Sequence, residues 1–496
     1  MAFSIDTIAI APWKYWAQVS PFSIALETIK EQVNWQQLTA RVDLYSRYLQ
    51  QHGVASGDVV TLVGKNQVET LWFYLAAQQI GAITALTMPQ PFEALSGKLT
   101  TLYKPTQQRF VWFADGVAAS YSEQQLSQLS IIQLSTLDSE SQCDAGNSNE
   151  GYVHDALASI VFTSGSTGTP KAVVHTHRQH LSSAQGLLAE FRFNHEDSWL
   201  LSLPLYHVSG LAIVYRWLFA GAMLKVGNGN LADDILGVSH ASLVATQLKR
   251  LLDEQVELSL THVLLGGSHV AHELAQRATQ MGIETWLGYG MTEAASTVTA
   301  KQIDSISNAG HLLRNRDIKL VEERIYIGGQ TLAAGYFKQG SVTSLLNENG
   351  WFDSKDLGEW QGDELKIIGR ADNQFISGGE NVHCEEIEAA LNQIESISQS
   401  IVVPVEDVEF GHRPVAVIQT ESLLDKTQYE QHLQTKLEKF KWPVAYHAMP
   451  QTLLGGGIKI SRKAVKDWLK MKCKTVTKRY CTSGGCGDGE SPQFFS

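Results

Sequence analysis

The spacing of hydrophobic and polar positions changes along the chain and marks alternating helices and strands. Apolar residues recur at helical spacing over 38–52 and 68–80, which predicts two helices. Short apolar runs at 58–63 and 82–86 predict buried strands beside them. The same alternation continues over 198–265, so we predict an α/β fold with layers built on largely parallel sheets.

The pattern changes after Asp317, where short apolar runs are separated by polar links that carry glycine. These runs predict a β-rich subdomain or a small barrel. A hinge is predicted at 369–373, and a compact α+β unit follows it. The predicted elements are strands at 318–321, 324–327, 351–352 and 365–368, a helix at 384–394, strands at 401–404 and 413–419, and a helix at 427–440.

A chain of 496 residues is too long for one hydrophobic core. We therefore predict a large N-terminal domain over 1–369, made of layered α/β subdomains plus the β-rich subdomain. A small, mobile α+β C-terminal domain follows over 370–470. Residues 471–496 begin basic, end in glycine, serine and cysteine, and lack hydrophobic periodicity, so we predict a disordered tail there.

Composition narrows the classes of function. Apolar residues make up 44% of the chain and charged residues 18%, and no stretch approaches the roughly 20 apolar residues of a membrane-spanning helix. The net charge of −12 argues against nucleic-acid binding. The N-terminus lacks the pattern of a signal peptide, and five cysteines do not form a disulfide framework, so a cytoplasmic location is expected. The oligomeric state stays open, with a homo-oligomer among the options.

The run over 163–171 is the most informative part of the chain. It lies between two apolar, β-prone runs, so we predict a strand, a loop and a second strand. Glycines let backbone N–H groups turn toward an anion, hydroxyl groups add donors, and a lysine adds a positive charge. The run lacks the Gly-Lys-Ser/Thr order of a Walker A loop, and the alternative to a polyphosphate site is a polar surface turn. The candidate phosphate-binding residues are Thr163, Ser164, Gly165, Ser166, Thr167, Gly168 and Lys171.

A second motif combines glycines, an aromatic ring, a hydroxyl group and a carboxylate. Gly288 and Gly290 flank Tyr289, which allows the ring to pack against backbone, and Thr292 and Glu293 follow. Beside a phosphate loop, a carboxylate is suited to hold magnesium, which binds oxygens and bridges phosphates. Taken alone, the motif also fits a turn with a solvated glutamate.

Three further motifs are ambiguous when each is considered alone. Asp356 and Arg370 can bind a ribose diol, or they can form a structural salt bridge. Gly378 and Gly379 allow a ligand to approach the backbone closely, or they form a flexible turn. Lys459 follows three glycines and can stabilise developing negative charge, although most lysines are simply solvated.

Together, in this order and at these separations, the five motifs resemble the adenylate-forming superfamily of acyl-CoA ligases, peptide-synthetase adenylation domains and luciferases. The resemblance extends from about Trp35 to Trp468. It implies two half-reactions, in which a carboxylate first attacks the α-phosphate of ATP to give an acyl-adenylate and pyrophosphate. A thiol, usually that of coenzyme A, then displaces AMP.

The resemblance also implies a role for each motif. The 163–171 loop would hold the β- and γ-phosphates, Glu293 would hold Mg²⁺, and Thr292 would contact the α-phosphate. Tyr289 would lie near adenine, and Asp356 and Arg370 would bind ribose. Lys459 would catalyse adenylation. Asp372 would be the hinge about which the small domain rotates to present Gly378 and Gly379 to the thiol arm.

Two pairs of residues depart from the family pattern. Cys384 stands where many relatives carry proline, and His383 replaces an aromatic residue before it. Ser354 and Lys355 replace the usual Thr-Gly before Asp356, which puts only the local loop geometry in question.

The acid substrate is expected to lie against the segment around His207 and Arg216. Arg216 falls within an otherwise apolar and aromatic helix, so its charge needs a partner. That partner is either a second substrate carboxylate or an internal ion pair. The acid–CoA ligases that the segment resembles act on an aromatic keto acid with two carboxylates. They imply that His207 lies near the reacting carboxylate, and that Ser242, Gly266 and Gly267 line the pocket.

We therefore predict an acid–thiol ligase that uses ATP, Mg²⁺, coenzyme A and an aromatic carboxylic acid. Another aryl or aliphatic acyl-CoA ligase remains an alternative. So does a stand-alone adenylation enzyme that loads a carrier protein.

Overall fold

A computed structural model describes residues 3–132, 151–163, 170–266, 270, 272–454 and 460–481, with the backbone alone for residues 381 and 473–481. The predicted alternation of helices and strands is confirmed in the first part of the chain. The elements over 3–132 are α1 (Pro12–Val19), β1 (Ile24–Thr28), β2 (Gln32–Asn34), α2 (Trp35–Gln51), β3 (Val59–Val63), α3 (Val68–Gln79), β4 (Ile83–Thr87), α4 (Phe92–Leu102), β5 (Phe110–Phe113), α5 (Glu123–Leu126) and β6 (Ser130–Ile131).

The central part of the chain continues the α/β alternation and begins with the predicted pair of strands around the 163–171 loop. Its elements are β7 (Leu157–Thr163), β8 (Lys171–Thr176), α6 (His177–Leu188), β9 (Ser198–Leu200), α7 (Val208–Ala220), β10 (Met223–Val226), α8 (Leu231–Asp234), β11 (His240–Leu243), α9 (Ala245–Asp253), β12 (His262–Gly266), α10 (His272–Gln280), β13 (Glu284–Met291) and β14 (Ser296–Gln302).

The next part of the chain is built from strands, as predicted. These strands are β15 (His311–Leu312), β16 (Arg316–Val321), β17 (Arg324–Gly329), β18 (Gly335–Lys338), β19 (Ser341–Thr343), β20 (Phe352–Gln361) and β21 (Glu364–Arg370). They extend the sheets of the N-terminal region, because β15 pairs with β14 on one side and β21 on the other, while β18 pairs with β8.

The C-terminal part is the predicted α+β unit. Its elements are β22 (Gln374–Ser377), β23 (Glu380–His383), α11 (Cys384–Leu391), β24 (Ile397–Asp407), β25 (Gly411–Thr420), α12 (Lys426–Gln434), β26 (Ala445–Ala448), α13 (Gln451–Leu454) and α14 (Arg462–Cys481).

Three sheets organise these elements. The first has the strand order β19-β18-β8-β7-β4-β3-β5-β6, and the second has the order β16-β17-β20-β21-β15-β14-β13-β12-β11-β9-β10-β1-β2. Strands β9, β11, β12 and β13 run parallel, so their carboxyl ends meet at one edge of the second sheet. Ligands bind at such edges in open α/β sheets, and the candidate site lies here. The third sheet, β23-β22-β25-β24 with β26 beside β25, belongs to the C-terminal unit.

Local sequence explains the two helices that frame the site. Thr176 caps α6, because its Oγ1 accepts a hydrogen bond from the Gln179 N–H and the Gln179 side chain accepts one from the Thr176 N–H. Helix α7 is apolar apart from Ser209 and Arg216 and ends at Gly221, whose φ of +69° is the left-handed conformation that glycine favours at a helix end.

The prediction for the C-terminal tail is wrong for residues 471–481. They continue α14, which begins at Arg462 and contains neither glycine nor proline to interrupt it. The remaining residues of the predicted tail lie outside the described part of the chain. The helix predicted over 427–440 also ends early, at Gln434, and a 3₁₀ turn follows over Lys439–Lys441. Among the described helices, none combines the length and hydropathy needed to cross a membrane.

Candidate active site

A buried carboxylate joins three strands on one side of the site. Asp356 Oδ2 accepts a hydrogen bond of 2.6 Å from the Tyr289 hydroxyl, and Asp356 Oδ1 accepts one of 3.1 Å from Arg370 Nη1. The Asp356 side chain is 8% exposed, whereas that of Arg370 is 43% exposed. Burial, aided by the charge of Asp356, raises the pKa of Tyr289 well above its ordinary value, so the hydroxyl remains a donor. The structural ion pair between Asp356 and Arg370 is therefore present, and one end of it is open to solvent.

Lys355, the residue before Asp356, has an unusual backbone conformation within β20. Its φ of +62° lies in the left-handed region. The conformation is uncommon for a residue with a Cβ atom and favours glycine. The departure from Thr-Gly thus places a residue with a Cβ atom where glycine is favoured, and the backbone is strained at Lys355.

Glu293 lies on a 3₁₀ turn, Thr292–Ala294, directly after β13. Burial raises the pKa of its carboxyl above the ordinary value, and the charges of Lys171 and Arg370 oppose that shift. The Tyr336 hydroxyl donates to Glu293 Oε1 over 3.5 Å, and the Lys171 ammonium lies 4.7 Å from the centre of the Tyr336 ring. The second motif and the end of the 163–171 run are therefore brought together.

Tyr336 was missed by the sequence-based reasoning. It lies on β18, opposite Val173 of β8 in an antiparallel pair. No short motif surrounds it, and only the pairing of β18 with β8 carries it to Lys171 and Glu293. Burial and the charge of Glu293 raise its pKa to about 12, so it too remains a donor.

A single carboxylate at this position suits Mg²⁺ that is shared with phosphates. No cluster of three or more histidine, cysteine, aspartate or glutamate side chains able to hold a metal occurs within the described residues. Mg²⁺ is commonly held by one or two carboxylates together with substrate phosphates and water. Glu293 has that chemistry and lies beside Lys171, so the residues fit a magnesium–nucleotide complex rather than a metal bound by protein alone.

The glycines of the second motif allow β13 and β14 to approach closely. A Cβ atom at Gly290 would lie 1.7 Å from the Ser296 carbonyl oxygen, and one at Gly288 would lie 3.0 Å from Thr297 Cγ2. Gly266 pairs with Gly288 in the neighbouring strand. These positions form a narrow strip of exposed backbone between the nucleotide side and the predicted acid side of the site.

Arg216 lies on the acid side, inside the protein. The residue is 3% exposed and belongs to α7. Its Nη1 donates to Ser242 Oγ over 3.4 Å and its Nη2 donates to Thr297 Oγ1 over 3.3 Å, while its guanidinium lies 5.2 Å from the centre of the Trp199 ring. The structure thus brings Arg216 and Ser242 into contact, and it adds Thr297 and Trp199, which the sequence-based reasoning did not name.

No carboxylate of the described residues pairs with Arg216. Burial alone accounts for the lowering of its pKa to about 9, so the side chain is still protonated at pH 7. An internal ion pair, the alternative considered from the sequence, is therefore not found in the part of the chain that the structure describes. A buried charge held only by neutral groups is unfavourable unless an anion joins it.

His207 stands at the amino end of α7, where its N–H donates to the Pro204 carbonyl oxygen. Its ring packs edge-on against Tyr206, and the residue is partly exposed. Nine residues along a helix correspond to about 14 Å, so His207 and Arg216 are separated by roughly that distance along the axis of α7. A single acid that reaches both must be elongated.

The predicted hinge adjoins the nucleotide side. Asp372 lies on a 3₁₀ turn over Ala371–Asn373, and its Oδ2 is 3.6 Å from Arg370 Nη2. Gly378 and Gly379, with φ values of +60° and +94°, form a two-residue turn between β22 and β23. Positive φ at both positions is typical of a tight hairpin turn, so the turn that the sequence offered as an alternative is present in a well-defined form.

A carboxylate links the hinge to the last helix. Glu385 Oε1 accepts hydrogen bonds from Asn373 Nδ2 at 2.5 Å and from Arg462 Nη2 at 3.0 Å. Cys384 begins α11 at the position where proline is favoured in helices, and its thiol is buried. Burial raises the thiol pKa to about 12, which makes the thiol unreactive.

Several predicted residues lie outside the described part of the chain. They are Ser164, Gly165, Ser166, Thr167, Gly168, Gly267 and Lys459. Thr163 ends β7 and Lys171 begins β8, so the two described ends of the phosphate run are paired strands.

Sequence comparisons relate the chain to named enzymes. The family model for AMP-binding enzymes matches residues 13–337. A 2-succinylbenzoate–CoA ligase of Salmonella typhimurium is 41% identical over 468 residues, which cover 93% of this chain and 98% of that protein. A protein of the same name from Escherichia coli is 40% identical over 460 residues, covering 92% of this chain and 98% of that protein.

Solved structures share the fold. A variant of E. coli MenE with bound OSB-AMS superposes with a TM-score of 0.83 at 38% identity, covering 93% of this chain and 99% of that one. The o-succinylbenzoate coenzyme A synthetase of Bacillus subtilis, solved in complex with ATP and magnesium ion, superposes with a TM-score of 0.77 at 23% identity, covering 89% of this chain and 96% of that one. The predicted architecture of a large N-terminal part and a small C-terminal part is thereby confirmed.

The family predicted from the five motifs is likewise confirmed, since the matching model and the similar enzymes all point to AMP-forming ligases. This chain belongs to the AMP-binding enzyme family.

Proposed function

We propose that this chain is an ATP-dependent 2-succinylbenzoate–CoA ligase, which adenylates o-succinylbenzoate and transfers the acyl group to coenzyme A. The observation that carries the proposal is Arg216, a buried guanidinium with neutral hydrogen-bond partners and no carboxylate partner among the described residues. o-Succinylbenzoate has two carboxylates, so one can react while the other pairs with Arg216. The similarity to two ligases of this name supports the choice.

In the first half-reaction a carboxylate oxygen of the acid attacks the α-phosphorus of ATP. The bond from that phosphorus to the oxygen bridging the β-phosphate breaks, and pyrophosphate leaves. We assign the β- and γ-phosphates to the 163–171 run, including Lys171, and the α-phosphate to Thr292. Lys459 stabilises the negative charge that develops during the transfer.

Glu293 would hold Mg²⁺ together with the phosphates, and the ion would supply positive charge that neutralises them. The Tyr336 hydroxyl donates to Glu293 and so orients its carboxylate, while the Lys171 ammonium contacts the Tyr336 ring.

The nucleoside part of ATP binds along β13 and beside the middle of β20, where Asp356 lies. Asp356 accepts hydrogen bonds from the ribose diol, and Arg370 braces the carboxylate from the solvent side. Tyr289 lies near adenine, and Gly288 and Gly290 leave the backbone open beside it.

The acid occupies the space between His207 and Arg216. Arg216 and Ser242 bind the carboxylate that does not react, and His207 lies near the one that does. We assign the pocket wall to Gly266, which ends β12, and to Gly267.

The second half-reaction needs a different arrangement of the two domains. We assign residues 1–369 to the N-terminal domain, residues 370–470 to the C-terminal domain and Asp372 to the hinge between them. Rotation removes Lys459 and brings Gly378 and Gly379 to the thiol arm of coenzyme A. The sulfur attacks the acyl carbon, the bond from that carbon to the phosphate oxygen breaks, and AMP leaves.

A pyrophosphate-exchange assay across a panel of acids tests the proposed substrate. We expect labelled pyrophosphate to enter ATP with o-succinylbenzoate and not with benzoate or fatty acids. Exchange driven equally by simple aryl or aliphatic acids would instead favour another acyl-CoA ligase.

Two further assays test the proposed role of Lys459 and the identity of the thiol substrate. The Lys459→Ala variant should lose adenylation yet form thioester from supplied acyl-adenylate, and survival of both half-reactions would remove Lys459 from its role. Supplying free coenzyme A or a carrier protein as thiol separates the ligase from a carrier-loading enzyme.

The proposed product also implies a pathway and a location. The ligases of o-succinylbenzoate that the chain resembles serve menaquinone biosynthesis, and we propose the same pathway here. ATP and coenzyme A, the two co-substrates, are cytoplasmic metabolites, so we propose that the reaction takes place in the cytoplasm.

A further inference from the structure

A second buried guanidinium, that of Arg316, lies beside Arg216. Arg316 begins β16 and is 4% exposed. Its Nε donates to the Thr297 carbonyl oxygen at 2.9 Å and its Nη1 to the Arg314 carbonyl oxygen at 2.7 Å. Its Nη2 donates to the Ser183 carbonyl oxygen at 3.0 Å and to Ser183 Oγ at 2.8 Å. All of these acceptors are neutral.

The two arginines place uncompensated positive charge in one region of the interior. Burial lowers the pKa of Arg316 to about 9, and the charge of Arg216 contributes to that lowering. No carboxylate of the described residues pairs with either guanidinium. Both side chains are protonated at pH 7, so the pocket next to them carries a strong positive potential before any ligand binds.

Thr297 connects the two guanidinium groups. Arg316 binds its carbonyl oxygen, and Arg216 binds its hydroxyl oxygen. Thr297 lies on β14 opposite Gly290, so this residue also borders the glycine strip of the nucleotide side. Through Ser183, Arg316 ties β14 to α6, which fixes the hydroxyl that Arg216 contacts.

A glycine in α6 makes room for the Arg316 side chain. A Cβ atom at Gly186 would lie 2.0 Å from Arg316 Nη1 and 2.3 Å from the Arg314 carbonyl oxygen. Glycine within a helix is destabilising relative to alanine. The helix therefore retains an unfavourable residue where the guanidinium of Arg316 passes.

We propose that Arg316 is a specificity-determining residue that favours acids with two negative charges without touching the substrate. It does so by adding positive charge behind Arg216 and by fixing the orientation of Thr297. The inference rests on the proposed function, because it names the substrate feature that the same pocket selects. If Arg316 were only a clamp between α6 and β14, its replacement would lower stability and leave the choice between acids unchanged.

Two variants separate the charge of Arg316 from its hydrogen bonds. Arg316→Gln removes the charge and keeps one amide donor group. Arg316→Lys keeps the charge and loses the planar guanidinium with its several N–H donors. Pyrophosphate exchange would be measured with o-succinylbenzoate and with the two monoacids that each lack one of its carboxylates, 4-oxo-4-phenylbutanoate and 2-butanoylbenzoate. The monoacid that supports exchange serves as the reference.

For Arg316→Gln we expect the KM of the diacid to rise about tenfold, as for the loss of one modest charge–charge interaction, while that of the monoacid changes by less than about twofold. For Arg316→Lys we expect the preference for the diacid to stay within about threefold of the wild type. Equal changes for both acids in Arg316→Gln, or loss of the preference in Arg316→Lys, would overturn the proposal. Circular dichroism and thermal melting establish that each variant is folded. If Arg316→Gln does not fold, Arg316→Met, which also removes the charge, is measured in its place, and equal changes for both acids would again overturn the proposal.

The wild-type reference keeps this test distinct from that of the proposed function. Absence of exchange with o-succinylbenzoate in the wild type would reject the proposed substrate alone. A preference for some other diacid over its monoacid, lost in Arg316→Gln, would still support the role of Arg316.

Discussion

The two sides of the site treat buried charge in opposite ways. On the nucleotide side, Asp356 is buried but bonded to Tyr289 and Arg370, so its charge is compensated within the protein. On the acid side, Arg216 and Arg316 are buried against neutral partners only, among the described residues. A compensated carboxylate is suited to a neutral ribose diol, whereas uncompensated cations are suited to an anionic ligand. A buried charge without an opposite charge beside it in the protein therefore indicates the charge of the ligand better than a charge that the protein itself neutralises.

The largest effect is expected when the unpaired positive charge on the acid side is removed. Arg216→Met should raise the KM of o-succinylbenzoate about 100-fold, because a hydrogen bond between charged groups contributes roughly 1.5–3 kcal/mol. The matching monoacid should change by less than about threefold, since it has no second carboxylate to lose. Steady-state kinetics with both acids would measure this, with Arg216→Lys as the control that keeps the charge. Equal rises for the two acids would contradict the second-carboxylate contact.

A smaller effect, equal for the diacid and the monoacid, is expected when Asp356 on the nucleotide side is replaced. Asp356→Asn should raise the KM of ATP by about tenfold, because one ionic acceptor becomes a neutral amide. The change should be the same with diacid and monoacid, in contrast to Arg216→Met. Tyr289→Phe, which removes one donor to the same carboxylate, is the matched control. A shift in acid preference in either variant would show that the two sides are not independent.

The pH dependence of MgATP binding tests the half-buried carboxylate of Glu293. Burial raises the pKa of Glu293, so its carboxylate is protonated at a higher pH than an ordinary glutamate as the pH falls. The affinity for MgATP should therefore decline on the acid side at a higher pH than the ordinary glutamate value would give. Lys171 lowers the pKa of Glu293, so Lys171→Met should move this decline to still higher pH.

Lys171→Arg is the control for that experiment, since it keeps the positive charge beside Glu293. The KM of MgATP, measured across pH for each variant, gives the midpoint separately from the overall loss of phosphate binding. An unchanged midpoint in Lys171→Met would contradict the coupling between Lys171 and Glu293.

The smallest effect concerns the strained backbone at Lys355, which precedes Asp356 in β20. Lys355→Gly should raise the free energy of unfolding by roughly 0.5 kcal/mol, because relief of a left-handed backbone outweighs the greater freedom of glycine in the unfolded chain. Lys355→Ala keeps the strain and removes only the long contact of 4.0 Å to Asp372, so it should not be stabilised. Urea unfolding of both variants measures the difference, and equal stabilities would show that the strain at Lys355 is negligible.

Much of the nucleotide side was predictable from sequence because its chemistry lies in short contiguous motifs. Tyr289, Glu293 and the 163–171 run each combine glycines with polar groups within a few residues. The order of elements was also predictable, since strands buried on both faces, such as β3 and β4, read as short continuous apolar runs. Tyr336 escaped because its role depends on the pairing of β18 with β8, which no local pattern encodes.

The acid side was predictable only in part for the same physical reason. Arg216 was predictable because a charged residue within an otherwise apolar helical segment is evident from the sequence alone. Ser183, Thr297 and Arg316 come from separate elements, and each is an ordinary residue in its own segment. Their joint function arises from packing between α6, β14 and β16, which a single sequence does not reveal. The tail prediction failed over 471–481 because a helix can continue without apolar periodicity when no breaker interrupts it.

The absence of a side chain at Gly186 has a consequence for how this sequence can change over time. A side chain gained at that position would collide both with the guanidinium of Arg316 and with the Arg314 carbonyl oxygen, so losing the arginine alone would not make room for it. A lineage that gains a side chain there must also displace the backbone before β16, and with it the arginine on which the inferred preference for diacids rests. Glycine at this position is thus tied to the path of the chain that leads into β16.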